Sequence, residues 1–188
     1  TNINHQYSKS FEFEKDFNNY VHKYITNNIN YFSFLRPWKE IKIAYEFSKH
    51  KKYFSAFRSC NRGSKENIWC CTCPKCLFVY IILAPFLEHS ELIQIFGKDL
   101  LDDENLLPIF KKLIGETSIK PFECVGTIEE VKYALDLLRK KEKKFPALLK
   151  YYLEKYPNEK IHTNPLTYYN KENLLPLEFE RMIKNDSK

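Results

Sequence analysis

The sequence predicts a mainly α-helical fold organised around a four-cysteine zinc knuckle. Apolar residues recur at helical spacing through most of the chain, and no run of β-branched residues is long enough to build a complete parallel sheet. Five of the six cysteines fall between Cys60 and Cys76. The 188 residues suffice for one domain with a proper core.

The helices are expected in eight segments. The third is apolar on all sides and should therefore be buried, while Thr127 and Glu130 form a capping box at the start of the sixth. Ser90 and Gly97 are the expected N-cap and C-cap of the fourth. The expected ranges are 11–25, 37–49, 76–87, 91–96, 107–114, 128–143, 145–156 and 177–183.

The predicted metal ligands are Cys60, Cys70, Cys73 and Cys76. Two successive Cys-x2-Cys steps allow neighbouring thiolates to converge on one ion, and the upstream cysteine completes a tetrahedral set. Because four thiolates leave no open position on zinc, the site should be structural rather than catalytic. Cys71 is out of register with the knuckle and is left over.

Other roles for these cysteines remain open at this point. An iron–sulfur cluster is one alternative, although the next cysteine of a ferredoxin-like run is replaced by Tyr80. The cysteines could also be free, buried hydrophobic residues, but such residues rarely cluster in this way. Disulfides fit poorly with closely spaced thiols in a chain without secretory signals.

Hydropathy indicates a soluble protein, and the thiols favour a reducing cytoplasm. The net charge of +6 is spread along the chain, and the single basic block at 139–144 is explained by a solvated helix face, so no nucleic acid is expected. The longest apolar run, 77–87, is too short to span a bilayer, so no membrane partner is expected. A chain that starts at Thr1 is expected to be a fragment.

Several motifs resemble those of one known family. Around the cysteines these are Phe57-Arg-Ser-Cys-Asn-Arg62, Trp69-Cys70, Cys73-Pro-Lys-Cys-Leu-Phe78 and Leu83-Ala-Pro-Phe-Leu87. Elsewhere they are Asn4-His-Gln-Tyr-Ser-Lys-Ser10, Leu35-Arg-Pro37, Phe96-Gly-Lys-Asp-Leu-Leu101 and Lys120-Pro-Phe-Glu-Cys-Val-Gly126. In this order they resemble the UDP-N-acetyl-α-D-muramoyl-L-alanyl-L-glutamate epimerase family of bacterial cell-wall synthesis.

The resemblance implies an isomerase that uses ATP and Mg²⁺ to convert the terminal L-Glu of UDP-MurNAc-L-Ala-L-Glu into D-Glu. It also implies that the chain is the C-terminal portion of an α/β enzyme of the adenine-nucleotide α-hydrolase (PP-loop) type, without the ATP-binding half. Residues 1–145 would belong to the catalytic region, including a zinc module at 58–87. Residues 146–188 would form a helical extension.

The resemblance directs attention to two groups near the predicted catalytic chemistry. Arg58, Asn61 and Arg62 surround a metal ligand, and guanidinium groups suit phosphates and carboxylates. Ion pairing with nearby acids would explain the two arginines equally well. Glu123 and Cys124 are candidate proton-transfer groups, by analogy with the thiol pair of cofactor-free glutamate racemases; a buried structural role for Cys124 is the alternative.

The remaining candidates for substrate binding are Lys120, in the same motif, and three residues near the start of the chain, His5, Ser8 and Lys9. The early residues resemble an active-site loop, and a disordered terminus is the alternative. Two other readings of the whole chain also stay open. It could be a zinc-stabilised helical module that binds RNA or another acidic partner, or a different PP-loop-type enzyme.

Overall fold

The computed structural model describes residues 7–117, 121, 125–159, 161 and 163–185. All regular structure in these residues is helical and they contain no β-strand, which confirms the predicted mainly α-helical class. Short 3₁₀ turns lie at Tyr7–Lys9, Lys51–Tyr53 and Glu104–Leu106. The α-helices are α1 (Phe11–Tyr24), α2 (Glu40–Ser48), α3 (Pro74–Leu83), α4 (His89–Phe96), α5 (Leu107–Leu113), α6 (Ile128–Lys141), α7 (Ala147–Lys155) and α8 (Leu177–Asn185).

The chain divides into two compact units. The first comprises residues 1–38 and 167–188, and the second comprises residues 39–166. The four predicted metal ligands all lie in the second unit, whereas α1 and α8 belong to the first.

Helix α3 is the centre of the second unit. Every residue from Cys76 to Leu83 is buried, as expected for a helix that is apolar on all sides. Helices α2, α4, α5 and α6 all pack against it. The Tyr80 hydroxyl donates a hydrogen bond to Asp99 at 2.9 Å, which ties the loop after α4 to the same helix. The knuckle therefore leads directly into the core.

Most predicted helices form with ends that differ by a few residues. Helix α3 begins earlier than predicted because Pro74 occupies its first turn, where a missing N–H costs nothing, and it ends at Leu83 rather than Leu87. The predicted N-cap Ser90 is wrong. Glu88 is the cap, and it forms a reciprocal capping box with Glu91, which places Ser90 inside the helix.

Other helix ends follow local backbone geometry. Helix α2 starts at Glu40 rather than Pro37, because a turn closed by the Trp38 N–H and the Leu35 carbonyl precedes it. The predicted C-cap Gly97 is confirmed, with the left-handed φ of 83° that favours glycine. The capping box of Thr127 and Glu130 is also confirmed.

In the first unit, a buried ion pair joins α1 to the loop that follows it. Glu14 is fully buried and accepts a hydrogen bond from Arg36 Nε at 2.8 Å. Arg36 also donates to the Lys9 carbonyl at 3.2 Å, so the turn before α1 is held as well. In the C-terminal helix α8, Phe179 packs against Phe32 with ring centroids 5.4 Å apart.

None of the helices in the described part of the chain combines the length and apolar character needed to cross a bilayer.

Candidate metal centre

The four predicted ligands converge as the spacing predicts. The sulfurs of Cys60, Cys70, Cys73 and Cys76 all lie within 4.8 Å of one another. Three of the separations are 3.9 Å (Cys60 to Cys73), 3.8 Å (Cys70 to Cys76) and 3.4 Å (Cys73 to Cys76). Four sulfurs about 2.3 Å from a tetrahedral ion lie about 3.8 Å apart, so this cluster has the dimensions of a metal-binding site.

The loop between Cys60 and Cys70 directs its backbone toward the metal cluster. Gly63 N–H donates to the Cys60 sulfur at 3.2 Å, and Cys70 N–H lies 3.5 Å from the same sulfur. Such donors stabilise a thiolate. A Cβ at Gly63 would lie only 2.2 Å from the Ile68 carbonyl oxygen, so the fold of this loop requires glycine there.

Hydrogen bonding between the sulfurs favours an ionised Cys73, whereas the same hydrogen bond and burial raise the pKa of Cys76. Cys73 and Cys76 are fully buried, Cys60 is nearly so and Cys70 is half-buried. The adjacent Cys76 sulfur, through a hydrogen bond, lowers the pKa of Cys73 to about 5. Metal binding requires thiolates, and a buried anionic cluster without a cation would be costly. The donor set is therefore suited to a soft divalent cation.

Cys71 is outside the cluster, as predicted. Its sulfur is buried and donates to the Phe96 carbonyl at 3.2 Å. Burial raises the pKa of this thiol, which keeps it protonated as a donor. Its φ of 56° turns the backbone so that the flanking Cys70 and Cys73 can share one ion.

An aromatic stack joins the cluster to the core. The Trp69 ring packs between Phe57, 5.3 Å away, and Phe96, 4.7 Å away. Phe96 in turn lies 5.1 Å from Tyr80 on α3. Because Trp69 immediately precedes the candidate ligand Cys70, binding of a metal would be coupled to core packing through the same backbone.

The predicted binding residues next to the cluster differ in their environments. Arg58 is half-buried, and its Nη1 donates to the Phe57 carbonyl at 2.6 Å. Asn61 and Arg62 are exposed at the start of the loop after Cys60. Arg58 therefore supports the backbone before the first ligand, while Asn61 and Arg62 face solvent and are accessible to a ligand.

The other predicted site residues lie either in the first unit or outside the described residues. Ser8 and Lys9 are exposed in the first unit, in the 3₁₀ turn before α1. The predicted residues His5, Lys120, Glu123 and Cys124 lie outside the described residues. Their roles stay predictions.

The segment that follows Cys124 is anchored to α3, the helix that carries Cys76. A Cβ at Gly126 would lie 2.6 Å from Phe78 Cζ, so this backbone touches α3 two residues beyond Cys76. Glu130 is buried and accepts from Thr127 N–H at 2.9 Å and from Ile41 N–H at 3.2 Å. One carboxylate thus joins the starts of α2 and α6.

The sequence pattern did not indicate the unusual environment of Glu40, the first residue of α2. The residue retains solvent access, yet desolvation of its carboxyl raises the pKa, a change that Lys75 opposes and Glu130 reinforces. Glu40 therefore lies in the field of a cation on the knuckle and a buried carboxylate. An acidic residue in a first helical turn is ordinary, so its sequence pattern carries no signal.

Comparisons with known proteins identify the family. Residues 56–165 match the family model of the MurL C-terminal domain, and residues 1–34 match that of the MurL N-terminal domain. No solved structure matches the chain.

Curated relatives are named UDP-N-acetyl-alpha-D-muramoyl-L-alanyl-L-glutamate epimerase. The protein of Xanthomonas oryzae pv. oryzae is 40% identical over 142 residues, covering 72% of this chain and 32% of the relative. That of Micromonospora sp. is 40% identical over 144 residues, covering 74% of this chain and 32% of the relative. That of Salinispora tropica is 41% identical over 141 residues, covering 72% of this chain and 31% of the relative. This chain spans about a third of the length of these relatives, and by the match over residues 56–165 it belongs to the MurL epimerase family.

Proposed function

We propose that this chain is part of an ATP-dependent epimerase that converts the terminal L-Glu of UDP-MurNAc-L-Ala-L-Glu into D-Glu. The observation that carries this proposal is the match to three curated epimerases at 40–41% identity over more than 70% of the chain. These relatives favour the epimerase over the alternatives of an RNA-binding module or a different PP-loop-type enzyme.

The chemical difficulty of this reaction explains the use of ATP. The α-proton beside a carboxylate is very weakly acidic, because the carbanion would be adjacent to a full negative charge. Transfer of AMP to that carboxylate, with release of pyrophosphate, removes the charge and allows an enolate to form. A base then removes the α-proton, an acid returns a proton to the opposite face, and water releases AMP.

In this proposal the cysteine cluster holds a structural Zn²⁺. A closed set of four thiolates fits zinc and leaves no position for substrate. The ion would hold the backbone on either side of Cys60 and so position Arg58, Asn61 and Arg62, of which Asn61 and Arg62 are exposed. The exposed pair would bind the phosphates or carboxylates of the substrate.

Glu123 and Cys124 remain the proposed proton-transfer groups. Support comes from their position in the chain, since the next described residues, Val125 and Gly126, lead into contacts with Phe78 and Glu130. This anchorage would keep the proton-transfer segment near α3, the helix that carries Cys76. Lys120, His5, Ser8 and Lys9 would complete substrate binding.

The organisation of the longer enzyme is also proposed. An ATP- and Mg²⁺-binding α/β half of the PP-loop type would be supplied by polypeptide that the relatives carry beyond the matched third. Residues 1–145 would belong to the catalytic region and residues 146–188 would form a helical extension.

The natural gene product that contains this chain tests the proposal. It would be incubated with UDP-MurNAc-L-Ala-L-Glu, Mg²⁺ and either ATP or no nucleotide, and D-Glu would be counted by chiral chromatography after acid hydrolysis. D-Glu formed only with ATP, together with AMP and pyrophosphate, supports the proposal. A folded, metal-loaded protein that forms no D-Glu would contradict it.

A further inference from the structure

Helix α1 leaves three aromatic side chains exposed while it buries two polar ones. The residues buried along α1 are Glu14, Asn18 and Val21, which share one face at helical spacing. Phe17, Tyr20 and Tyr24 lie on another face and are 39%, 57% and 63% exposed. A surface helix of a soluble protein normally has the opposite arrangement.

The polar face of α1 is buried by specific contacts. Glu14 pairs with Arg36, and the Asn18 amide donates to the Tyr31 carbonyl at 2.6 Å and accepts from the Tyr31 N–H at 2.8 Å. These hydrogen bonds satisfy buried polar groups and set the rotation of the helix. The aromatic face is therefore directed outward by the fold.

The exposed rings on and beside this helix are called here the aromatic ridge: Phe17, Tyr20, Tyr24 and Tyr31. Ring centroids are 5.2 Å apart for Phe17 and Tyr31, and 5.1 Å for Tyr20 and Tyr24. With aromatic side chains of about 150–250 Å² each, roughly half exposed, the four rings offer on the order of 400 Å² of apolar area. Exposed apolar patches of this size are often functional.

Apolar exposure is concentrated in this unit. Among the described residues, thirteen of the seventeen exposed large hydrophobic side chains lie in the unit formed by 1–38 and 167–188. Within the same residues, only Val21 and Ile183 of this unit are buried hydrophobics. The described part of this unit thus has almost no core of its own and is suited to packing against more polypeptide.

We propose that the aromatic ridge is the packing surface for the remainder of a MurL N-terminal domain. Two findings select this occupant. The whole of α1 lies inside residues 1–34, which match the MurL N-terminal domain model, and the relatives are about three times as long as the part matched here. In these relatives the further polypeptide would cover the ridge with apolar side chains. This inference depends on family membership and not on the proposed reaction.

Aromatic oxidation by hydroxyl radicals, read by mass spectrometry, tests the occupant. The reactivity of the α1 segment would be measured in the 188-residue chain and that of the matched segment in the full-length Xanthomonas relative. Each value is divided by the reactivity of the same segment in urea. The ridge of this chain should react nearly as fast as the unfolded segment, and the matched segment should be several-fold protected. Equal reactivity in the two folded proteins overturns the proposal.

Variants of this chain test whether a second copy of the chain, rather than further polypeptide, covers the aromatic ridge. The double variant Tyr20→Glu, Tyr24→Glu should leave the Tm unchanged and lower the binding of a hydrophobic dye. Tyr53→Glu, at an exposed tyrosine of the second unit, is the matched control and should lower dye binding much less. A dimer of the parent chain that the double variant converts to monomer would overturn the proposal, as would unfolding of the double variant.

Discussion

Replacing Cys60 with serine should remove the metal and lower the thermal stability of the chain. Cys60 is the candidate ligand farthest along the chain from the other three, so its bond to the proposed Zn²⁺ would close the loop that runs to Cys70. Serine is a poor ligand for a soft cation, and the remaining three thiolates should bind zinc much more weakly. The bound zinc should fall well below one ion per chain.

The size of the effect follows from the loop that the ion closes. Closing a loop of about ten residues restricts the unfolded chain by about 3 kcal/mol in the chain-entropy treatment of cross-links. For a chain of this size, 1 kcal/mol corresponds to a shift in Tm of about 2–4 °C, so the loss should be about 10 °C. Since Trp69 links the loop to Phe96 in the core, the substitution should destabilise the whole second unit and not the loop alone.

Cys71→Ser provides the matched control. Cys71 is the buried neighbour whose sulfur donates to the Phe96 carbonyl, and serine can make the same hydrogen bond. Zinc would be counted by atomic emission and Tm by calorimetry in the parent and both variants. The reasoning is refuted if Cys60→Ser keeps one zinc and the parental Tm, or if Cys71→Ser loses its zinc. A coloured protein containing iron would instead indicate an iron–sulfur cluster.

Three further predictions concern the elements around the cluster. Gly126→Ala should lower the free energy of unfolding by about 1–3 kcal/mol, measured by urea denaturation, because its Cβ would press on Phe78; an unchanged midpoint would contradict the packing described. Thr127→Ala should cost about 1 kcal/mol through loss of the cap on α6, and Thr127→Ser should restore most of it; equal stability of the alanine and serine variants would argue against capping. Hydrogen bonds from Lys51 and from the Glu88 N–H hold the pKa of Glu91 below its usual range, so the stability that its carboxylate provides should be complete above about pH 4.3 and lost as pH falls through the lower folded pKa. The urea midpoint of Glu91→Gln should therefore depend less on acid pH than that of the parent, and parallel pH curves for the two proteins would disprove this linkage.

The sequence pattern predicts the metal cluster well because the relevant information is local. Three of the four ligands follow one another at intervals of three residues, and the backbone can bring such thiols together without help from distant elements. The same holds for the capping box of Thr127 and Glu130, which involves one turn of helix. The run after Cys76, which is apolar on every side of the helix, likewise predicts the central buried helix.

Features that depend on tertiary contacts were not predictable. The second role of Glu130, accepting from Ile41 N–H, joins residues 89 positions apart and has no local signature. The same applies to Glu40, whose altered pKa arises from desolvation and from neighbours on other helices. The helical spacing of Phe17, Tyr20 and Tyr24 predicts a helix with an apolar face, but it does not reveal that these rings are exposed.

The central claim, an epimerase that works through an activated α-carbon, is tested most directly by running the reaction in D₂O. The natural gene product would be supplied with UDP-MurNAc-L-Ala-L-Glu, ATP and Mg²⁺, and the product glutamate would be resolved by chirality and weighed by mass spectrometry. The expected product is D-Glu that carries one deuterium at the α-carbon, with one AMP formed for each activated glutamate. D-Glu without deuterium, D-Glu formed without ATP, or no D-Glu from the metal-loaded protein would contradict it.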